Sequence, residues 1–67
     1  MIEQITIPAL NSLWKHSRGA TYQVLLITNE ATDKPSEYPI TVVYQDVENK
    51  KIWSRTLSRW YESMSLI

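Results

Sequence analysis

Two alternating runs, Ile40-Thr41-Val42-Val43-Tyr44-Gln45-Asp46-Val47 and Lys51-Ile52-Trp53-Ser54-Arg55-Thr56-Leu57, stand on either side of Glu48-Asn49-Lys50. β-branched and aromatic residues at alternate positions suit a pleated, half-buried strand, and a polar tripeptide containing Asn supplies a tight reversal. The pattern predicts a β-hairpin in which Asn49 takes the left-handed conformation. It commits more than a quarter of a 67-residue chain to antiparallel sheet, and the remaining segments must build onto that sheet. On the returning strand, Lys51, Trp53, Arg55 and Leu57 share one face, and Ile52, Ser54 and Thr56 the other.

Thr21 to Thr28 is a further strand, with Tyr22, Val24, Leu26 and Thr28 on one face and Gln23, Leu25 and Ile27 on the other. Because both faces carry apolar residues, this strand belongs in the middle of the sheet. Leu13-Trp14-Lys15-His16 is a shorter strand, joined to it through Ser17-Arg18-Gly19, where the single Gly of the chain adopts a positive φ freely. Ile2, Ile5 and Ile7 form an apolar lead-in that Pro8 interrupts. Asn29 to Pro39, rich in Asn, Asp, Pro, Ser and acids, is a solvated loop. Ser58 is the expected N-cap of one helical turn running through Arg59, Trp60, Tyr61 and Glu62. The expected fold is all-β: a small SH3-like curved antiparallel barrel of four to five strands with a short C-terminal helical turn. The alternative is an open meander with that turn packed across one face. One domain spans 1–67, with 1–11 as lead-in and 13–64 as its core.

So short a chain buries only about 60% of the surface its unfolded form exposes, so large side chains or a partner subunit must supply the stability margin. Three Trp and four Tyr fit that need. The absence of Cys removes disulfides and thiolate metal sites and points to a reducing, cytoplasmic setting. The first residues lack the basic and apolar regions of a signal peptide, and the longest apolar run, Val24 to Ile27, is too short to cross a bilayer. No membrane association is expected. Formal charge is zero, yet five acids lie between Thr28 and Glu48, while Lys50, Lys51, Arg55 and Arg59 follow with no acid between Asn49 and Trp60. A neutral whole argues against duplex nucleic acid, which draws on many phosphate contacts, and leaves room for one compact anion.

Trp53-Ser54-Arg55-Thr56-Leu57-Ser58-Arg59-Trp60-Tyr61 concentrates aromatic and guanidinium groups with no acid among them. An Arg stacked on a ring keeps its fork of donors free for a carboxylate or phosphate. Trp14, His16, Tyr22, Trp53, Arg55, Arg59 and Trp60 are therefore the candidate ligand-binding residues. Each has a structural reading beside it. His16, the lone His, has no companion ligand for a metal and reads as hydrogen-bonded or solvated. Trp14, Tyr22, Tyr44, Trp53 and Trp60 read first as core. Arg55 either pairs internally with Asp46 or Glu48 or contacts a ligand. No nucleophile elbow, paired carboxylates, metal cluster or Gly-rich phosphate cradle is present, so neither an enzyme nor a cofactor is expected.

Leu13-Trp14-Lys15-His16-Ser17-Arg18-Gly19-Ala20-Thr21-Tyr22-Gln23-Val24, then Thr41-Val42-Val43-Tyr44, then Trp53-Ser54-Arg55-Thr56-Leu57-Ser58-Arg59-Trp60 resemble a family of small bacterial and phage domains of unknown function, the one numbered 1653. The resemblance runs from Leu13 to about Met64 and implies no activity; its motif positions are Trp14, His16, Gly19, Tyr22, Tyr44, Trp53, Arg55 and Trp60. Thr56 stands where the family pattern has Pro. The functional expectation is a binding module in which an aromatic and cationic cleft takes a nucleotide-like anion or a carboxylate peptide. The alternative is a phage or bacterial accessory protein that docks on a cellular protein through a flat patch around Leu66-Ile67 or Ile2 to Ile7. A homodimer completed by those apolar ends is a third expectation.

Overall fold

The computed structural model describes residues 7–67, so the expected lead-in through Ile2 and Ile5 lies outside the described residues. The elements follow in the order β1 (Leu13–His16), β2 (Thr21–Thr28), β3 (Thr41–Asp46), β4 (Ile52–Thr56), α1 (Leu57–Ser63) and β5 (Met64–Leu66). All pair antiparallel in one five-stranded sheet of order β4-β3-β2-β1-β5. The first four strands form a meander, and α1 then carries the chain across to lay β5 along β1. The sheet is not closed, with β4 and β5 as its edges, so the expected barrel is not confirmed. The antiparallel β character, the central place of β2 and the short C-terminal helix are as expected. Among the described residues no helix is long and apolar enough to cross a membrane.

Local chemistry explains most boundaries and three of four departures from expectation. Gly19, between β1 and β2, has φ 108°, a conformation that strains any residue with a Cβ, although the space around it is open. In the β3–β4 turn the left-handed residue is Lys50 (φ 65°), not Asn49. Asn49 instead uses its side-chain oxygen to accept the Lys51 N–H at 2.9 Å, which places the reversal one residue later. β4 ends at Thr56 and Leu57 opens the helix, where a strand through Leu57 and an N-cap at Ser58 were expected. The Leu57 N–H closes the β3–β4 ladder on the Ile40 carbonyl while its side chain is buried, so the chain must turn inward there. β5 was not expected at all.

The fourth departure lies in β2. Val24 pairs with Tyr44 and Leu26 with Val43, leaving Leu25 as an extra residue at a bulge. A bulge reverses the alternation. Ile27, opposite Val42, therefore joins Tyr22 and Val24 on the helix-covered face, and Leu26 turns to solvent at 46% exposure.

The core consists of Trp14, Val24, Val42, Tyr44, Leu57, Trp60 and Met64, with Ile7, Tyr22, Ile27 and Ile40 packed against it. Trp60 lies at its centre, edge-on to Trp14 at 5.4 Å and to Tyr44 at 4.9 Å between ring centroids. Tyr22 extends the series to Tyr44 at 5.0 Å. Edge-to-face pairs of this kind contribute about 0.5–1.5 kcal/mol each beyond burial, which adds to the margin of a core whose buried aliphatics are Val24, Val42 and Leu57. The buried Trp60 Nε1 has no hydrogen-bond partner among the described residues, so some of that gain is offset.

Candidate functional site

β4 places Arg55 opposite Val42, on the face that α1 covers. Its half-buried side chain lies along the Tyr44 ring, with Cζ 5.6 Å from the centroid. Nε donates to the Tyr44 hydroxyl at 2.9 Å, and Nη1 donates to Ser63 Oγ at 2.8 Å. Both acceptors are neutral. Of the acids expected as internal partners, Asp46 is committed to the hairpin turn, where Oδ1 accepts the Glu48 and Asn49 N–H groups at 2.8 and 3.2 Å. The ion pair among the described residues is elsewhere, between Arg59 Nε and Glu62 Oε2 at 3.8 Å, with both side chains exposed. Arg55 is thus held in a fixed orientation by hydroxyls, with its charge unmatched by any described carboxylate and its Nη2 donors unpaired among the described residues.

Trp53, two residues before Arg55 and opposite Tyr44, shares that face yet is 52% exposed, because it lies beyond the cover of α1. The expectation that it is core is therefore corrected. Trp14 and Trp60 are buried, in line with their reading as core and not as cleft lining; Trp60 packs on Tyr44 and Trp14 on Trp60. Tyr22 is half-buried between Tyr44 and His16, whose ring lies edge-on at 6.4 Å. His16 accepts the Arg18 N–H on Nδ1 at 3.0 Å, a local turn contact. Arg59 sits on the exposed face of α1. The seven residues therefore do not form one cleft: Trp53 and Arg55 share one face of β4, the first exposed and the second half-buried, Tyr22 and His16 extend the aromatic row, and the others serve packing or solvent.

Sequence reasoning missed two features. The hydroxyls of Tyr44 and Ser63 orient Arg55, and nothing in the spacing of Ser63 signals that role because the helix alone brings it back to β4. The second is an apolar groove of about 430 Å³ between the 29–40 loop and the start of α1, lined by Pro35, Pro39, Ile40, Leu57 and Tyr61 together with Thr56 and Ser58. The two Pro, read only as loop punctuation, were its available signal. Tyr61 packs edge-on against Trp14 at 5.8 Å, and burial pushes its phenol pKa up from 10.0. Among the described residues no three acids, His or Cys are grouped to hold a metal ion.

The chain matches no family model, no curated protein and no solved structure.

Proposed function

We propose that this chain is a small non-enzymatic binding module that recognises an anionic group, a peptide carboxylate or the phosphate of a nucleotide-like molecule, at Arg55. The observation that carries the reading is a half-buried guanidinium oriented by two neutral hydroxyls and matched by no described acid. Holding a charge partly out of water is unfavourable without a counter-charge, and a preoriented fork with Nη2 unpaired among the described residues suits a planar or tetrahedral oxyanion. The exposed Trp53 ring beside it offers a stacking surface for a base or peptide side chain. Tryptophan fluorescence titration with a nucleoside monophosphate, a short peptide with a free C-terminus, and duplex DNA at two salt concentrations tests this. A compact anion binds and weakens modestly with salt, and Arg55→Gln reduces its affinity tenfold or more; a titration unchanged in Arg55→Gln overturns the assignment. Tight duplex binding with a steep salt slope overturns the compact-anion reading.

The groove beside α1 favours a second reading, in which the chain is a phage or bacterial accessory protein that docks on a cellular protein by burying an apolar side chain between Pro39 and Tyr61. Tyr61→Ala with Arg55 intact separates the two: protein capture is lost if the groove is the docking site, whereas anion binding at Arg55 survives.

A further inference from the structure

We infer that the free edge of β4 pairs with β4 of a second copy of this chain, joining two sheets about a two-fold axis at Ser54. The hydrogen bonds that flank the β3–β4 ladder fix which backbone groups are available. Leu57 donates to Ile40 and Asp46 to the Lys51 carbonyl, so by alternation Arg55 and Trp53 also spend their backbone groups on β3. The N–H and C=O groups of Ile52 and Ser54 and the N–H of Thr56 then point away from the sheet, the Thr56 carbonyl being taken up by the first turn of α1, and β4 has no neighbour on that side among the described residues.

Natural edges are protected by brevity, Pro, bulges or Lys. β5, the other edge, is only three residues long. β4 has five residues, Ile52–Thr56, with no Pro, Gly or Lys, and its pairing with β3 runs without a bulge. Its one charge, Arg55, is drawn onto Tyr44 and Ser63 and leaves the edge clear. A formal net charge of zero adds no overall repulsion between copies.

Self-complementarity then selects the register. With Ser54 opposite Ser54 of the second copy, the two Ser54 residues exchange both backbone bonds, and Ile52 faces Thr56 so that the Thr56 N–H meets the Ile52 carbonyl. Trp53 then stands opposite Arg55 of the second copy as a pair without backbone bonds, the arrangement in which Cα atoms approach to about 4.5 Å and side chains are closest. The exposed indole and the guanidinium matched by no described acid are thus brought side by side twice, once on each side of the axis. The pairing uses the flat face of the guanidinium and stands whether or not an anion occupies its Nη2 edge.

Light scattering of the full chain at a concentration on the order of 100 µM is the test, since mass action favours the dimer there. A mass twice the 7.9 kDa chain is expected. Ser54→Pro removes an outward donor without touching the β3 ladder, and Trp53→Lys sets a cation opposite Arg55; each raises the dissociation constant at least tenfold with the far-ultraviolet dichroism unchanged. In the wild type, amide exchange at Ile52 and Ser54 slows as concentration rises. A wild-type monomer at this concentration overturns the inference, as does a dimer that survives either variant. Should Ser54→Pro lose the native dichroism, Trp53→Lys at its exposed position decides alone.

Discussion

Arg55 touches Tyr44 twice, donating from Nε to the hydroxyl at 2.9 Å and lying over the ring with Cζ 5.6 Å from its centroid. Because the same ring is packed edge-on by Trp60 and Tyr22, the guanidinium inherits its position from the aromatic core and not from a described carboxylate. Tyr44→Phe keeps the packing and removes the acceptor. It is expected to cost about 1 kcal/mol of stability while weakening anion binding by misorienting the fork. Chemical denaturation and the fluorescence titration measure the two effects, and a full-strength site in Tyr44→Phe would show that Ser63 alone suffices to orient Arg55.

Trp60 and Trp53 are expected to respond oppositely to truncation. Trp60 is fully buried, so Trp60→Ala is expected to lower the unfolding free energy by about 3 kcal/mol or more. Trp53→Ala, at a position 52% exposed, is expected to stay within about 0.5 kcal/mol in dilute solution. Urea midpoints compared at equal m-value check both.

The bulge in β2 makes a paired prediction. Leu26→Ser removes a side chain that already faces solvent and is expected to change stability by about 0.5 kcal/mol or less. Ile27→Ala, which empties a site packed against the core, is expected to cost about 2 kcal/mol. The reverse order would mean that β2 alternates without interruption.

Thr56 occupies φ −64°, the value a proline ring imposes, and its N–H points away from β3. Thr56→Pro is therefore expected to stabilise the dilute protein by about 0.5 kcal/mol, mainly by restricting the unfolded chain, against loss of a long 3.4 Å hydroxyl contact to Ser58. A lowered denaturation midpoint would place that N–H in a native hydrogen bond.

These sites also mark what the sequence made legible. The bounds of β1 and β2 and the β3–β4 hairpin were readable because alternation and turn chemistry agree there. The bulge was not, because Leu25, Leu26 and Ile27 are all apolar and an extra residue among them leaves no trace in a period of two. β5 escaped for its length, since Met64–Leu66 pairs only because α1 delivers it beside β1. In the candidate site, Arg55 and Trp53 were legible as chemistry, but which Trp is exposed depends on where α1 lies. That placement is set by packing, which local pattern does not encode.

The pairing of β5 with β1 joins His16 to Met64 and Trp14 to Leu66, positions near opposite ends of the described chain. Hairpins β1–β2, β2–β3 and β3–β4 each close over a short span, so they are accessible early in folding; the β5 strand must wait for a loop almost as long as the molecule. Met64 is buried in the same core as Trp60, so anchoring the end of α1 and seating its indole are coupled. The β1–β5 ladder is thus expected to act as a clasp that forms last and opens first, and amide exchange faster in β1 and β5 than in β2 and β3 checks this.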